Sequence, residues 1–317
     1  MIDIKKKSIK TLILGLAILM ASISLCGFLL AYLPSQMSEN RTNEIVDLYF
    51  KDAGYSLDSF NKKWKSKVEQ YALTSTQGHI IPVTYICAKG NYENNTIILV
   101  HWHESNHVAM YPIAEIFLDQ GWNVVLYDQR AHGKNTANTV TFGYLESLDL
   151  RDVVDFTYQK SNGSMIGALG QSMGAATIGY YLGTEHSSQY LNFAVIDSAF
   201  SGMHEEIYWE ISKAKVPLPS KALTNLGSEF CKFIYGYRYS DVNIVKQIGA
   251  SSIPTLVMHS KKDNKCSYYM GEELYASIPH LNKRLITFES SEHLFSFWDE
   301  KRRYIDEVRL FTDEFSK

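Results

Sequence analysis

The residues with the clearest chemical meaning are Gly170-Gln171-Ser172-Met173-Gly174. This G-x-S-x-G run follows a short apolar stretch, 165–169, and precedes a stretch of helical character from 173. A sharp strand-to-helix turn holds its central residue in a strained conformation, and only small residues two positions either side fit the bend. Such a turn presents the Ser172 hydroxyl at a helix N-terminus, where backbone N–H groups and the helix dipole favour developing negative charge. A serine hydroxyl is a weak nucleophile near neutral pH and needs a base, which in turn needs a group to orient it. His293 stands in Glu289-Ser290-Ser291-Glu292-His293-Leu294, just after the last strand-like run, and Asp263 follows the strand-like run before it. Taken singly, Asp263 also reads as a turn residue and His293 as a surface histidine. The order Ser172, Asp263, His293, each after its own strand, is what points to nucleophilic catalysis on a parallel sheet.

The elements that would position these residues follow from the pattern around them. Residues 68–74 and 80–87 alternate as two early strands joined around Gly78, and short apolar runs follow at 96–101, 123–127, 165–169, 193–196, 255–259 and 285–288. Helix-period segments at 111–120, 144–159, 173–182, 271–277 and 299–315 lie between or after them. This alternation predicts a mostly parallel eight-stranded sheet with helices on both faces. Residues 201–252 interrupt the rhythm with apolar and aromatic residues at helical spacing, broken at Pro217 and Pro219, and read as a helical lid. Composition agrees with a globular chain: of 317 residues 45% are hydrophobic and 21% charged, with 7 Pro and 19 Gly, which excludes disordered and collagenous classes. A net charge of −3 argues against a nucleic-acid partner. The four cysteines are scattered, with no C-x-x-C pair, so neither a disulfide framework nor a structural zinc site is expected.

The N-terminal part has a different character. Lys5, Lys6, Lys7 and Lys10 precede residues 11–33, which carry no charge. A helix of that length spans a hydrocarbon core of about 30 Å, and the lysines place its start in the cytoplasm. The expectation is a single-pass anchor in the cell membrane (domain 1–34), a linker with a short helix (35–66), and an extracytoplasmic domain (67–317). A cleaved signal peptide and a buried core helix are the competing readings of 11–33.

From about residue 68 onward the chain resembles an α/β-hydrolase-fold serine hydrolase. It is similar to the bacterial membrane-anchored branch labelled dipeptidyl-aminopeptidase or acyl-hydrolase-like. The residues that carry the likeness are Leu99-Val100-His101-Trp102-His103, Tyr127-Asp128-Gln129-Arg130-Ala131-His132-Gly133, the 170–174 run, Asp263 and His293. The resemblance implies an acyl-enzyme mechanism without a cofactor, with Ser172 as nucleophile, His293 as base and Asp263 as orienter. It also implies an oxyanion hole formed by the backbone N–H groups of Met173 and His103. The family generally has Gly where this chain has Trp102, so a reshaped hole or acyl pocket is expected there. Asp128 and Arg130 correspond to residues that brace loops in that family and receive no chemical role.

Substrate is less constrained. Trp102, Tyr208, Trp209 and Phe233 are candidate pocket residues, with plain packing of the lid as the alternative. Glu205, Glu206 and Glu210 are candidate acids for reading a free N-terminus, as a peptidase would require. A small-molecule ester is preferred over a peptide, and oligomeric state is open. Two further classes compete. His101 and His103, supplemented by Asp128 and His132, superficially resemble a metallohydrolase loop, although Ser105 and Asn106 stand where that pattern needs Asp and His. A noncatalytic binding module on this fold is the other, disfavoured because none of the three candidate residues is lost.

Overall fold

The computed structural model describes residues 2–88 and 94–315, with side chains in the first helix from residue 14 onward except 16 and 19. β-Branched and apolar runs become the strands β1 (Val68–Thr74), β2 (Ile80–Ile86), β3 (Thr96–Val100), β4 (Asn123–Tyr127), β5 (Ile166–Gln171), β6 (Phe193–Asp197), β7 (Thr255–Ser260) and β8 (Lys283–Phe288). They form one sheet in the order β1-β2-β4-β3-β5-β6-β7-β8, in which only the β1–β2 and β2–β4 pairs are antiparallel. Every residue of β3 to β7 is buried, as expected for strands covered on both faces.

Three helices precede the sheet: α1 (Ile2–Tyr32), α2 (Glu39–Asp52) and α3 (Leu57–Trp64). The remainder are α4 (Tyr111–Asp119), α5 (Glu146–Lys160), α6 (Met173–Tyr181), α7 (Glu185–Tyr190), α8 (Met203–Lys213), α9 (Ser220–Tyr235), α10 (Ile244–Ile248), α11 (Tyr268–Ser277), α12 (Ser296–Asp299) and α13 (Lys301–Phe315). One face of the sheet packs against α5, α6 and the lid helices, the other against α2–α4 and α13. With helices on both faces and a helical lid from α8 to α10, the chain has the α/β-hydrolase fold.

The region expected to be a linker with one short helix contains two helices. Ser38 caps α2 by accepting from the Arg41 N–H, and Ser56 caps α3 by accepting from the Asp58 N–H. Val46, Phe50, Phe60 and Trp64 then bury against the sheet, which fixes both helices to the domain. The expected membrane-spanning helix 11–33 is not shown. Among the described residues no single helix is long and apolar enough to cross a membrane; the bent pair Met20–Ser35 and Glu39–Asp52, at 66°, passes on length and composition. Part of that expectation, the side chains of 11–13, 16 and 19, lies outside the described residues. The last turns of α1 dock on the lid: Gly27 admits the Phe230 ring against its backbone, Ala31 is buried, and Leu30 O accepts from the Tyr239 hydroxyl at 2.9 Å.

Candidate active site

The carboxyl ends of parallel strands form the customary ligand edge of such a sheet, and here β5, β7 and β8 deliver Ser172, Asp263 and His293 to it. Ser172 sits between β5 and α6 with φ 52° and ψ −119°, a conformation that L residues rarely adopt. Neighbouring backbone enforces it. A Cβ on Gly174 would lie 2.2 Å from Val100 O, and one on Gly170 2.5 Å from the Gly174 carbonyl. The Ser172 N–H donates to Asp197 O at 2.8 Å, tying the turn to β6.

From that turn a chain of hydrogen bonds runs outward. Ser172 Oγ donates to His293 Nε2 at 2.9 Å, and His293 Nδ1 donates to Asp263 Oδ2 at 2.7 Å. The other carboxylate oxygen, Oδ1, accepts the backbone N–H groups of Lys265 and Cys266, both at 2.9 Å. Asp263 is therefore clamped on both oxygens, which fixes the imidazole tautomer with its acceptor nitrogen toward the serine. His259 also approaches Asp263 but at 3.6 Å, and its Nε2 is engaged by Cys266 O at 2.9 Å. Burial lowers the His259 pKa, so it stays neutral beside the carboxylate.

A cavity of about 380 Å3 opens in front of Ser172, bordered by Trp102, His103, Met173, Phe200, Glu206 and Ile207 among others. Met173 is the first residue of α6, so its N–H has no intrahelical acceptor and is free to meet an oxyanion. The His103 ring is held at the cavity border: its Nε2 donates to Pro34 O at 3.1 Å and the ring stacks on Phe142. Trp102 does not require the backbone geometry of a glycine, because its φ is not positive. Its indole packs edge-on against Tyr49 at 4.7 Å while bordering the cavity.

Of the other candidate pocket residues, Tyr208 and Trp209 lie on faces of α8 turned from the cavity, and Phe233 is 87% exposed. Helical geometry explains the outcome: Glu206, Ile207 and Glu210 share the face toward the serine, and positions 208 and 209 fall beside it. Glu205 is exposed and outside the cavity lining.

Beyond Glu206, already named as a candidate acid, several neighbours of the site carry no recognisable sequence signal. Glu206 Oε2 is buried without a hydrogen-bond partner, and burial pushes this carboxyl up to about 8, assisted by Glu210. The Cys266 thiol contacts both Ser172 and Glu206; burial raises its pKa well above the ordinary value, so it remains a thiol and not a competing thiolate. From α2, the Tyr49 hydroxyl donates to Leu294 O at 3.3 Å and accepts from Trp298 Nε1 at 2.6 Å, bracing the loop that carries His293. Arg41 pairs with Glu104, and Asn106 donates to Asn43 at 2.8 Å, so the same helix also holds the loop that follows His103. Glu104, Ser172 and Leu294 all have positive φ, concentrating backbone strain around the site.

The histidine cluster that suggested a metal is bound up within the protein. His101 Nδ1 donates to Trp102 O at 2.7 Å and its Nε2 accepts the Gln129 N–H; His132 Nδ1 donates to Arg130 O and its Nε2 accepts the Glu104 N–H. Burial lowers the pKa of both, keeping them neutral braces between loops. Asp128 accepts from the His107 and Lys134 backbone N–H groups and from the His107 ring, and these partners hold its carboxyl well below the usual range. Arg130 donates to Asp149 at 3.1 Å.

Comparison with known proteins agrees with this architecture. The family model "Serine aminopeptidase, S33" matches residues 93–229, a span that contains Ser172 but neither Asp263 nor His293. The chain is 28% identical to the uncharacterized protein YqkD of Bacillus subtilis, covering 96% of this chain and 97% of that protein. Uncharacterized protein YfhR of Escherichia coli is 27% identical over 71% of this chain and 72% of its own length. Among solved structures, the Pyrococcus furiosus esterase Pf2001 superposes with a TM-score of 0.64 at 21% identity, covering 84% of this chain and 96% of that one. The Pyrococcus horikoshii acylaminoacyl peptidase gives 0.56 at 13% identity, covering 78% of this chain and 41% of that one. At these identities the structural likenesses establish the fold alone.

Proposed function

We propose that this α/β-hydrolase-fold chain is a serine hydrolase that cleaves carboxylic esters through an acyl-enzyme, using Ser172, His293 and Asp263. The observation that carries the reading is the continuous hydrogen-bonded series from Asp263 to His293 to Ser172, at 2.7 and 2.9 Å, ending in a cavity. Ser172 Oγ attacks the carbonyl carbon while its proton passes to His293 Nε2, and Asp263 stabilises the imidazolium. The N–H groups of Met173 and His103 receive the oxyanion, a donor of this kind being worth about 2.7–4 kcal/mol in the transition state. The carbon–oxygen bond to the alcohol breaks, and His293 returns the proton to the leaving oxygen. Water, deprotonated by His293, then attacks the acyl-serine, releasing the acid and restoring the Ser172 hydroxyl.

The second reading, an aminopeptidase, is favoured by Glu206, whose unpartnered oxygen borders the reacting group. Its raised pKa weighs the other way, since a carboxyl held near 8 is neutral at pH 7 and offers an ammonium group no charge until it is ionised. We further propose that the chain is held at a membrane through α1, N-terminus cytoplasmic and hydrolase domain outside. The charge-free run 11–33 behind four lysines supports this, as do the exposed apolar side chains Leu14, Ile18, Met20 and Leu25. The test is hydrolysis of p-nitrophenyl esters beside aminoacyl-naphthylamides by the full chain in non-ionic detergent, with Ser172→Ala as control. Ester turnover lost in the variant is expected; turnover confined to the aminoacyl amides would replace the esterase with the aminopeptidase.

A further inference from the structure

A second cavity, of about 570 Å3, lies between α1 and the lid helix α8. Leu25 and Leu29 of α1 with Leu33 just beyond it form one wall, and Ile207 and Ile211 of α8 with Ala214 at its end the other. It is continuous in lining with the Ser172 cavity, because Pro34, Ile207 and Glu210 border both. Its two polar lining residues are already engaged: the Glu210 carboxylate by Lys213 at 2.6 Å, and the Ser22 hydroxyl, which donates to Ile18 O at 2.9 Å. From Ser22 to Leu33 the groove follows about 16 Å of helix axis.

We propose that this groove is the acyl-chain site of the enzyme: the substrate is an ester of a long-chain fatty acid, its alkyl tail lying between α1 and α8 and its carbonyl at Ser172. The inference rests on the serine-hydrolase reading above and adds the substrate class. An alkyl chain suits the groove because it has no polar groups to satisfy. A polypeptide laid in the same walls would bury backbone N–H and C=O groups without partners. The direction of the groove also fits an amphiphile. Leu25 and Leu33 are each 59% exposed, so the groove opens along the apolar side of α1, where a lipid tail leaves a bilayer, and closes at the buried Ile207 beside the reacting serine.

The experiment is a chain-length series of p-nitrophenyl esters, from acetate through butyrate and laurate to palmitate, with the full chain in non-ionic detergent. The expected kcat/KM rises at least about tenfold from acetate to laurate, since each buried methylene adds to binding. Ala214→Trp, which fills the groove far from Ser172, is expected to lower the laurate-to-acetate ratio by about tenfold; Leu29→Trp repeats the test from the opposite wall if the first variant fails to fold. A long-chain alkyl fluorophosphonate with a terminal diazirine supplies a direct readout, with cross-links expected within 22–33 or 207–214. A flat chain-length profile, or cross-links to other segments or to another copy of the chain, overturns the groove while acetate hydrolysis leaves the hydrolase intact. Loss of acetate hydrolysis and of Ser172 labelling together would instead overturn the reading beneath it.

Discussion

Around Ser172 the backbone has no freedom to yield: main chain crowds both glycines of the turn, the serine φ is positive, and each oxygen of Asp263 is clamped. The wall opposite, built from α1 and α8, is apolar and partly exposed, and contacts the rest through side chains such as Phe230 and Tyr239. The two adjoining cavities thus have walls of different kinds. Preorganised geometry, which chemistry needs, sits on the sheet edge; adaptable apolar surface, which suits a variable substrate, sits on the lid and the N-terminal helix.

Substitutions on the two sides sharpen this contrast. The largest effect is expected from Asp263→Asn, which keeps the fold but releases the tautomer that His293 needs; kcat on p-nitrophenyl butyrate should fall by about 10^4. A loss under tenfold would detach Asp263 from the base. Next is Gly174→Val, whose new atoms meet the Val100 and His101 carbonyls with no side chain to move aside. It should destabilise by about 1–3 kcal/mol or more, whereas Gly27→Ala, where α1 packs on α9, meets only the Phe230 ring and should cost less. Equal losses in thermal melts would abolish the distinction between rigid edge and adaptable wall.

Glu206 tests the seam between the two. Its carboxyl titrates near 4.5 when unfolded and about 8 when folded. Between those values the folded state holds a proton the unfolded chain has lost, so stability declines as pH rises through that window. Glu206→Gln should therefore match the wild type near pH 4 and melt several degrees higher at pH 9; identical melts at pH 9 would place the ionised group in solvent. The smallest effect is expected at Tyr49→Phe, which strips the Trp298 Nε1–H of its acceptor and the Leu294 carbonyl of its donor. Stability should drop by about 1–3 kcal/mol and kcat several-fold, with KM little changed, because Tyr49 positions the His293 loop without touching substrate.

The sheet and its reactive edge were readable because their signals are local. Apolar runs mark the strands, and Ser172, Asp263 and His293 each follow one within a few residues, so ordering the strands brings the three together. The wall was not readable for the opposite reason. The amphipathic pattern of α8 shows that one side is apolar, not that Glu206 and Ile207 look toward a serine while Tyr208 looks away. Tyr49 reaches Leu294 across 245 residues of sequence, and Cys266 meets Ser172 only once β7 is in place. Residues 35–66 read as a linker with one short helix because they are rich in Ser, Asn, Asp and Lys; their buried Val46, Phe50, Phe60 and Trp64 acquire meaning only against the sheet. The clustered histidines are a related case, since their nitrogens serve backbone groups that no sequence pattern reveals.

The proposed hydrolysis requires Ser172 to be an activated nucleophile, and covalent labelling reads that property directly. Exposed to a fluorophosphonate and analysed by intact mass and peptide mapping, the wild type should gain a single adduct at Ser172. Ser172→Ala should gain none, and His293→Ala should react far more slowly. Ester hydrolysis by a wild-type chain that resists the reagent, or an adduct that persists in Ser172→Ala, would contradict it.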